Sequence, residues 1–249
     1  MSKREDFFIG WNAETPRVDR RFMLGASLAL IAGGGAMGGT LAADRPPVGA
    51  GVWEQGEARS LNGLLSLAPY PSLRTIDLDG APRTVFLATS GKTAPRIAAS
   101  LANRMVRIDG TLIQRGRQAM MAVDELRPSA AAHNLADLTP PVAVDRGPVL
   151  LVGEILDAKC WFGAMRPGYG KTHKACAALC ARGGLPLAFC QLGACGDGAE
   201  APLLLDQDGR AFGRAVLPLV ADPVVLRGRM LEAGDVMQAR ASLNDIRRL

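Results

Sequence analysis

The chain predicts a mainly β protein with short helices: an N-terminal transmembrane helix followed by two tandem small barrels. Three features carry this expectation. Phe22 to Ala43 is an uncharged run of 22 residues directly behind Arg20-Arg21. Two later stretches, 86–126 and 204–244, match each other at an offset of 118. Each alternates short apolar runs with glycine turns, the pattern of strands and hairpins.

Residues 1–21 read as a cytoplasmic tail with an apolar patch, Phe7-Phe8-Ile9-Gly10-Trp11. About 20 apolar residues cross a bilayer, so 22–43 reads as a transmembrane anchor or uncleaved signal. Asp19-Arg20-Arg21-Phe22-Met23-Leu24 approximates a twin-arginine export signal. Leu41-Ala42-Ala43 is a poor cleavage site, because Leu41 stands where a small residue is needed, and a retained single span is the expectation. Positive residues stay inside. The chain is then a single-pass inner-membrane protein with its C-terminal body in the periplasm, where thiols pair or bind metal.

The body has ample apolar content for packed cores, with 48% of the chain hydrophobic. Residues 50–126 form the first module, 127–148 an Ala/Pro-rich linker containing His133, and 149–249 the second module. Gly91, Gly110 and Gly116 fall on Gly209, Gly228 and Gly234. Leu61–Leu65 matches Leu151–Ile155 at an offset of 90, so the second copy carries 28 more residues between its first strand and the shared core. Short strands, a mid-strand glycine and one small helix before the last hairpin suggest a five-stranded barrel of the OB type in each copy. The additional residues bring a Cys/His insertion, 157–195, to the second copy alone.

That insertion concentrates the chemistry. It holds all five cysteines, one of the two histidines and three of the five lysines. His173, Cys176 and Cys180 stand at i, i+3 and i+7, so a helix through them, with Thr172 as its N-cap, places them on one face. Cys160 arrives from the end of the preceding strand. Thiolate and imidazole are strong ligands for a zinc, copper or iron ion, and four protein ligands close a tetrahedral shell. Met165 adds a thioether of the kind that favours cuprous copper, while Asp157, Lys159 and Lys171 stand where they could orient the ligands. Disulfide formation is the competing use of Cys160, Cys176 and Cys180, and Cys190 and Cys195 could bridge a turn. Both uses stay open at this stage, as does thiol redox chemistry, although no Cys-x-x-Cys pair occurs.

Two other classes find little support. No Lys/Arg run interleaved with aromatics occurs despite the net charge of +5, so no nucleic-acid partner is expected. Pro167-Gly168-Tyr169-Gly170-Lys171-Thr172 imitates a phosphate-binding loop, with Leu203–Asp206 as an acidic strand. It has Met165 where that motif needs glycine, so no nucleotide is expected, and Gly168 and Gly170 read as turn residues of positive φ.

Asp157, Lys159, Cys160 and Trp161, followed by Gly170, Lys171, His173, Cys176, Ala177, Cys180, Gly183, Gly184 and Pro186, make a dense motif of about thirty residues. It resembles a group of exported or membrane-anchored bacterial proteins to which no activity is attached. The resemblance supports a site and implies no reaction. No acid/base pair marks a catalytic centre. The expectation is a binding or accessory protein, part of an envelope or respiratory complex with a membrane-complex partner subunit. The alternative is an electron-transfer or redox subunit holding a metal at the Cys/His site.

Overall fold

Alternating apolar residues close two five-stranded barrels in the body of the chain. The computed structural model describes residues 16–43, 51–77, 79–130, 138–140, 142–195 and 200–249. The aromatic patch at Phe7–Trp11, most of the tail 1–21 and His133 lie outside them. The chain divides into two units, Met1–Pro46 and Pro47–Leu249.

The first unit contains helix α1 (Arg17–Ala43, 27 residues), which is long and apolar enough to cross a membrane. It begins five residues before the uncharged run, taking in Arg17, Arg20 and Arg21. At 1.5 Å per residue it spans about 40 Å.

In the second unit, the first barrel consists of β1 (Val52–Ser66), β2 (Ser72–Ile76), β3 (Pro82–Ala88), β4 (Met105–Arg115) and β5 (Gln118–Pro128). Its order is β1-β2-β3-β5-β4, closing on β1, with β3 and β5 parallel and every other pair antiparallel. The second consists of β6 (Val144–Asp157), β7 (Leu187–Gln191), β8 (Leu203–Asp206), β9 (Pro223–Ala233) and β10 (Val236–Ala241). It repeats that order, with β8 and β10 parallel and β9 closing on both β6 and β10. A last strand, β11 (Ile246–Arg248), adds to β9. Strands β5 and β6 thus reach into both ends of the stretch read as a linker.

The small helix expected before each last hairpin is only a 3-10 turn, Ala99–Leu101 in one copy and Arg214–Leu219 in the other. Pro218 sits inside the second turn and lacks the N–H that an α-helix would use.

Pairing registers place the additional residues. Leu65 pairs with Leu73 in the first barrel and Ile155 with Phe189 in the second, separations of 8 and 34, so 26 of the 28 lie between β6 and β7. The offset between copies is not constant. Leu87 pairs with Met121 inside the first barrel and Leu204 with Ala239 inside the second, an offset of 117 for β3 and β8. A one-residue slip turns every side chain to the other face, so the barrel interior corrects the register implied by matching Gly91 to Gly209. Gly110 and Gly228 do correspond. A Cβ on either would strike the opposite carbonyl, that of Ala122 or of Arg240.

Leu65, Leu73, Val85, Leu87, Val106, Ile108 and Met121 fill the first barrel. Ile155, Phe189, Leu204, Val224, Leu226 and Ala239 fill the second. A third core lies between the barrels, where Phe86, Ile113 and Met120 meet Leu156, Trp161, Phe162, Leu203 and Leu205. The strands at this junction therefore bury both faces, which explains their continuous apolar runs. Polar contacts register the two barrels. Asp235 accepts from Thr84 N (2.6 Å), Thr84 Oγ1 (2.8 Å) and Arg74 Nη1 (2.9 Å), and Gln118 exchanges two hydrogen bonds with the Ala201 backbone.

Candidate metal centre

The segment between β6 and β7 folds back over the junction between the barrels. Asp157 ends β6, and its Oδ1 accepts the Cys160 N–H at 2.9 Å, which starts a tight turn over Cys160–Ala164. Helix α2 (Lys174–Arg182) carries Cys176 and Cys180 one turn apart on one face. Ala177 and Ala181 of the same helix pack against the second barrel's core. His173 belongs to a 3-10 turn, Lys171–His173, that precedes α2. Thr172 is exposed and is not the N-cap. Capping by its hydroxyl requires an extended residue just before the first helical turn, and here the 3-10 turn displaces it.

Three sulfurs converge. Sγ of Cys160, Cys176 and Cys180 lie within 4.8 Å of one another, and Cys160 and Cys176 are 3.7 Å apart. Cys160 and Cys180 are buried and Cys176 is half-buried. The interaction with Cys180, followed by burial, pushes the Cys160 thiol up from its ordinary range. Asp157, Cys160 and His173 form a second group with ligand atoms equally close together, so Cys160 belongs to both. Either cluster could hold a metal ion.

Both ring nitrogens of His173 have partners. Its Nε2 lies 2.8 Å from Asp157 Oδ2 and its Nδ1 lies 2.9 Å from Met165 Sδ. The carboxylate only accepts, so it holds a proton on Nε2 and fixes the ring. Met165 therefore touches His173 rather than joining the three sulfurs. Lys171 is exposed in the 3-10 turn.

Lys159 is buried, and its ammonium donates to the carbonyls of Thr89 (2.7 Å), Ser90 (2.9 Å) and Gly91 (2.6 Å). It also lies 4.8 Å from the centre of the Trp53 ring. Burial pulls its pKa down, and the neighbouring Cys180, Cys160 and Asp157 oppose that shift. Through these contacts the motif lysine ties the insertion to the loop after β3.

That loop supplies the residue that sequence reasoning missed. Lys92 Nζ lies 2.6 Å from Cys176 Sγ, and this hydrogen bond holds the lysine pKa above its ordinary value. Lys92 is one of only five lysines in an Arg-rich chain, which was the one available signal. The motif glycines serve the same docking. A Cβ on Gly183 would strike the Lys92 carbonyl, and the Gly183 carbonyl accepts from Ala94 N at 2.9 Å. Gly170 has φ 81°, but Gly168 does not have the positive φ expected of it. Gly168 lies instead against the Cys160 carbonyl, whose carbon would stand 2.6 Å from a Cβ there.

Behind the site, Arg115 of β4 is buried and donates from Nε to the Trp161 carbonyl at 2.7 Å. Its guanidinium lies 3.7 Å over the Trp161 ring. Burial lowers its pKa from the ordinary value. Cys190 and Cys195 form a disulfide with Cα atoms 5.5 Å apart, separate from the three free thiols. The phosphate-loop imitation, Pro167–Thr172, precedes α2, but β6 is antiparallel to both of its neighbours. No protein-family model matches the chain, and no curated protein or solved structure is significantly similar to it.

Proposed function

We propose that this is an accessory protein of the cell envelope, anchored by one span in the inner membrane, whose periplasmic body binds a metal ion through cysteine thiolates. One observation carries the reading: three of five cysteines bring their sulfurs within 4.8 Å of one another, while the other two pair elsewhere. Zinc, copper and iron ions all suit such donors. The Asp157–His173 pair and the Asp157 contact to Cys160 N–H hold the first thiol in place.

Both modules are read as OB barrels. The strand order first-second-third-fifth-fourth, with third and fifth parallel, supports this in each copy. Such barrels bind or scaffold, so the protein serves a membrane complex through a partner subunit, without nucleic acid or nucleotide. A second reading, an electron-transfer subunit, uses the same thiolates around a redox metal. Disulfide formation from Cys160 to Cys176, 3.7 Å away, or to Cys180 is the rival chemistry.

Elemental analysis of protein purified from the envelope, beside a Cys176→Ser/Cys180→Ser variant, tests the metal reading. Stoichiometric metal in the wild type and none in the variant is expected. Metal in neither, with Cys160 oxidised to Cys176 or Cys180, replaces it with the disulfide. A periplasm-dependent reporter fused after Leu249 should be active, and a silent but intact fusion reverses the orientation.

A further inference from the structure

We propose that the metal is monovalent copper, held by the thiolates of Cys160, Cys176 and Cys180 as a three-sulfur centre that Lys92 supports through its hydrogen bond to Cys176. This rests on the metal-binding reading above and narrows it to one ion.

The donor set decides first. A closed zinc site takes four protein ligands. The residue spaced to be the fourth is His173, and its two ring nitrogens face Asp157 at 2.8 Å and Met165 at 2.9 Å. Among the described residues, the cluster containing Cys176 and Cys180 has Cys160 as its third member and no carboxylate or imidazole. Three soft donors without a hard one suit a soft monovalent ion better than a divalent ion seeking a tetrahedral shell.

A second observation supports a thiolate centre at these three sulfurs. Lys92 reaches Cys176 Sγ at 2.6 Å from the first barrel, so an ammonium stands against one of the three donors. Lys92 also fixes one sulfur's position by a charge-assisted hydrogen bond.

The experiment uses the full chain in detergent, reduced, metal-free and anaerobic. Copper(I) is titrated against the chromophoric chelator bathocuproine disulfonate, and zinc(II) against a chromophoric zinc chelator. One copper(I) per chain, tighter than zinc(II), with three sulfur neighbours by X-ray absorption, is the expected result. Cys176→Ser should abolish binding. Because Cys176 is half-buried, that variant is checked for native circular dichroism. Lys92→Gln keeps all three sulfurs and should bind one copper about tenfold more weakly, the scale of one charge-assisted hydrogen bond. Unchanged affinity in Lys92→Gln overturns the part given to Lys92. Preference for zinc with a nitrogen neighbour overturns the copper assignment and leaves the metal reading standing. Binding of neither ion by the reduced chain overturns both.

Discussion

Asn103 and Ala221, 118 residues apart, hold the same left-handed backbone conformation, φ 57° and 56°. Each ends the crossing before the fourth strand of its barrel. Asn103 N donates to Leu65 O at 2.8 Å and Ala221 N to Ile155 O at 2.9 Å, and those acceptors are equivalent residues of β1 and β6. The duplication is thus written into backbone geometry as well as strand order. Asparagine tolerates this conformation, but alanine meets its own carbonyl there.

Ala221→Gly should therefore stabilise the protein by about 0.5–1 kcal/mol, the relief of strain exceeding the added chain entropy. Asn103→Ala should destabilise it by a similar amount. Chemical denaturation of both variants checks the pair. Loss of stability in Ala221→Gly would show that the position is not strained.

Arg115 is a cation buried at the junction. Arg115→Met removes the bond to the Trp161 carbonyl and the stacked charge, leaving a buried acceptor unpaired. The expected cost is about 2–4 kcal/mol, with a changed near-ultraviolet circular dichroism signal from the tryptophan. Arg115→Lys should recover less than half, because an ammonium lacks the planar stack.

Burial raises the Glu154 carboxyl from its ordinary value, against the Gly170 N–H that it accepts at 2.9 and 3.0 Å. The folded protein then holds this proton more tightly than the unfolded chain. Stability falls as pH rises from the ordinary glutamate range toward the folded value. Glu154→Gln removes the effect, so it should be more stable than wild type at pH 7 and equal to it below about pH 4. Denaturant titrations at the two pH values decide this, and a variant weaker at pH 7 refutes it.

Cys190 and Cys195 close a loop of sequence separation five. Replacing both with serine should cost about 2 kcal/mol by returning loop entropy to the unfolded chain. Metal-stripped protein, denatured without reductant, should titrate three thiols with a sulfhydryl reagent, and five after reduction. Five before reduction would mean that the bridge does not form.

Much of the fold was legible because its signals are local or periodic. An uncharged 22-residue run needs no partner to be read, and helix α1 covers it. Glycines that let strands approach, such as Gly110 and Gly228, repeat because the same carbonyl stands opposite each. The strand register across β3 and β8 was not legible. Continuous apolar runs such as Val85–Ala88 hide the period of two, and only the cores reveal which residues point inward.

At the site, the sequence by itself determined which thiols share a helix face and that one further cysteine precedes them. Helical spacing and chain continuity suffice for that. Tertiary structure decided the rest. Lys92 reaches Cys176 across 84 residues, and Arg115 reaches Trp161 across 46, through the docking of one barrel on the other. His173 turns to Asp157 and Met165 because a 3-10 turn, not the helix itself, carries it. Such contacts follow from the packed orientation of separate elements, and side-chain contacts set by docking leave no periodic trace in a chain.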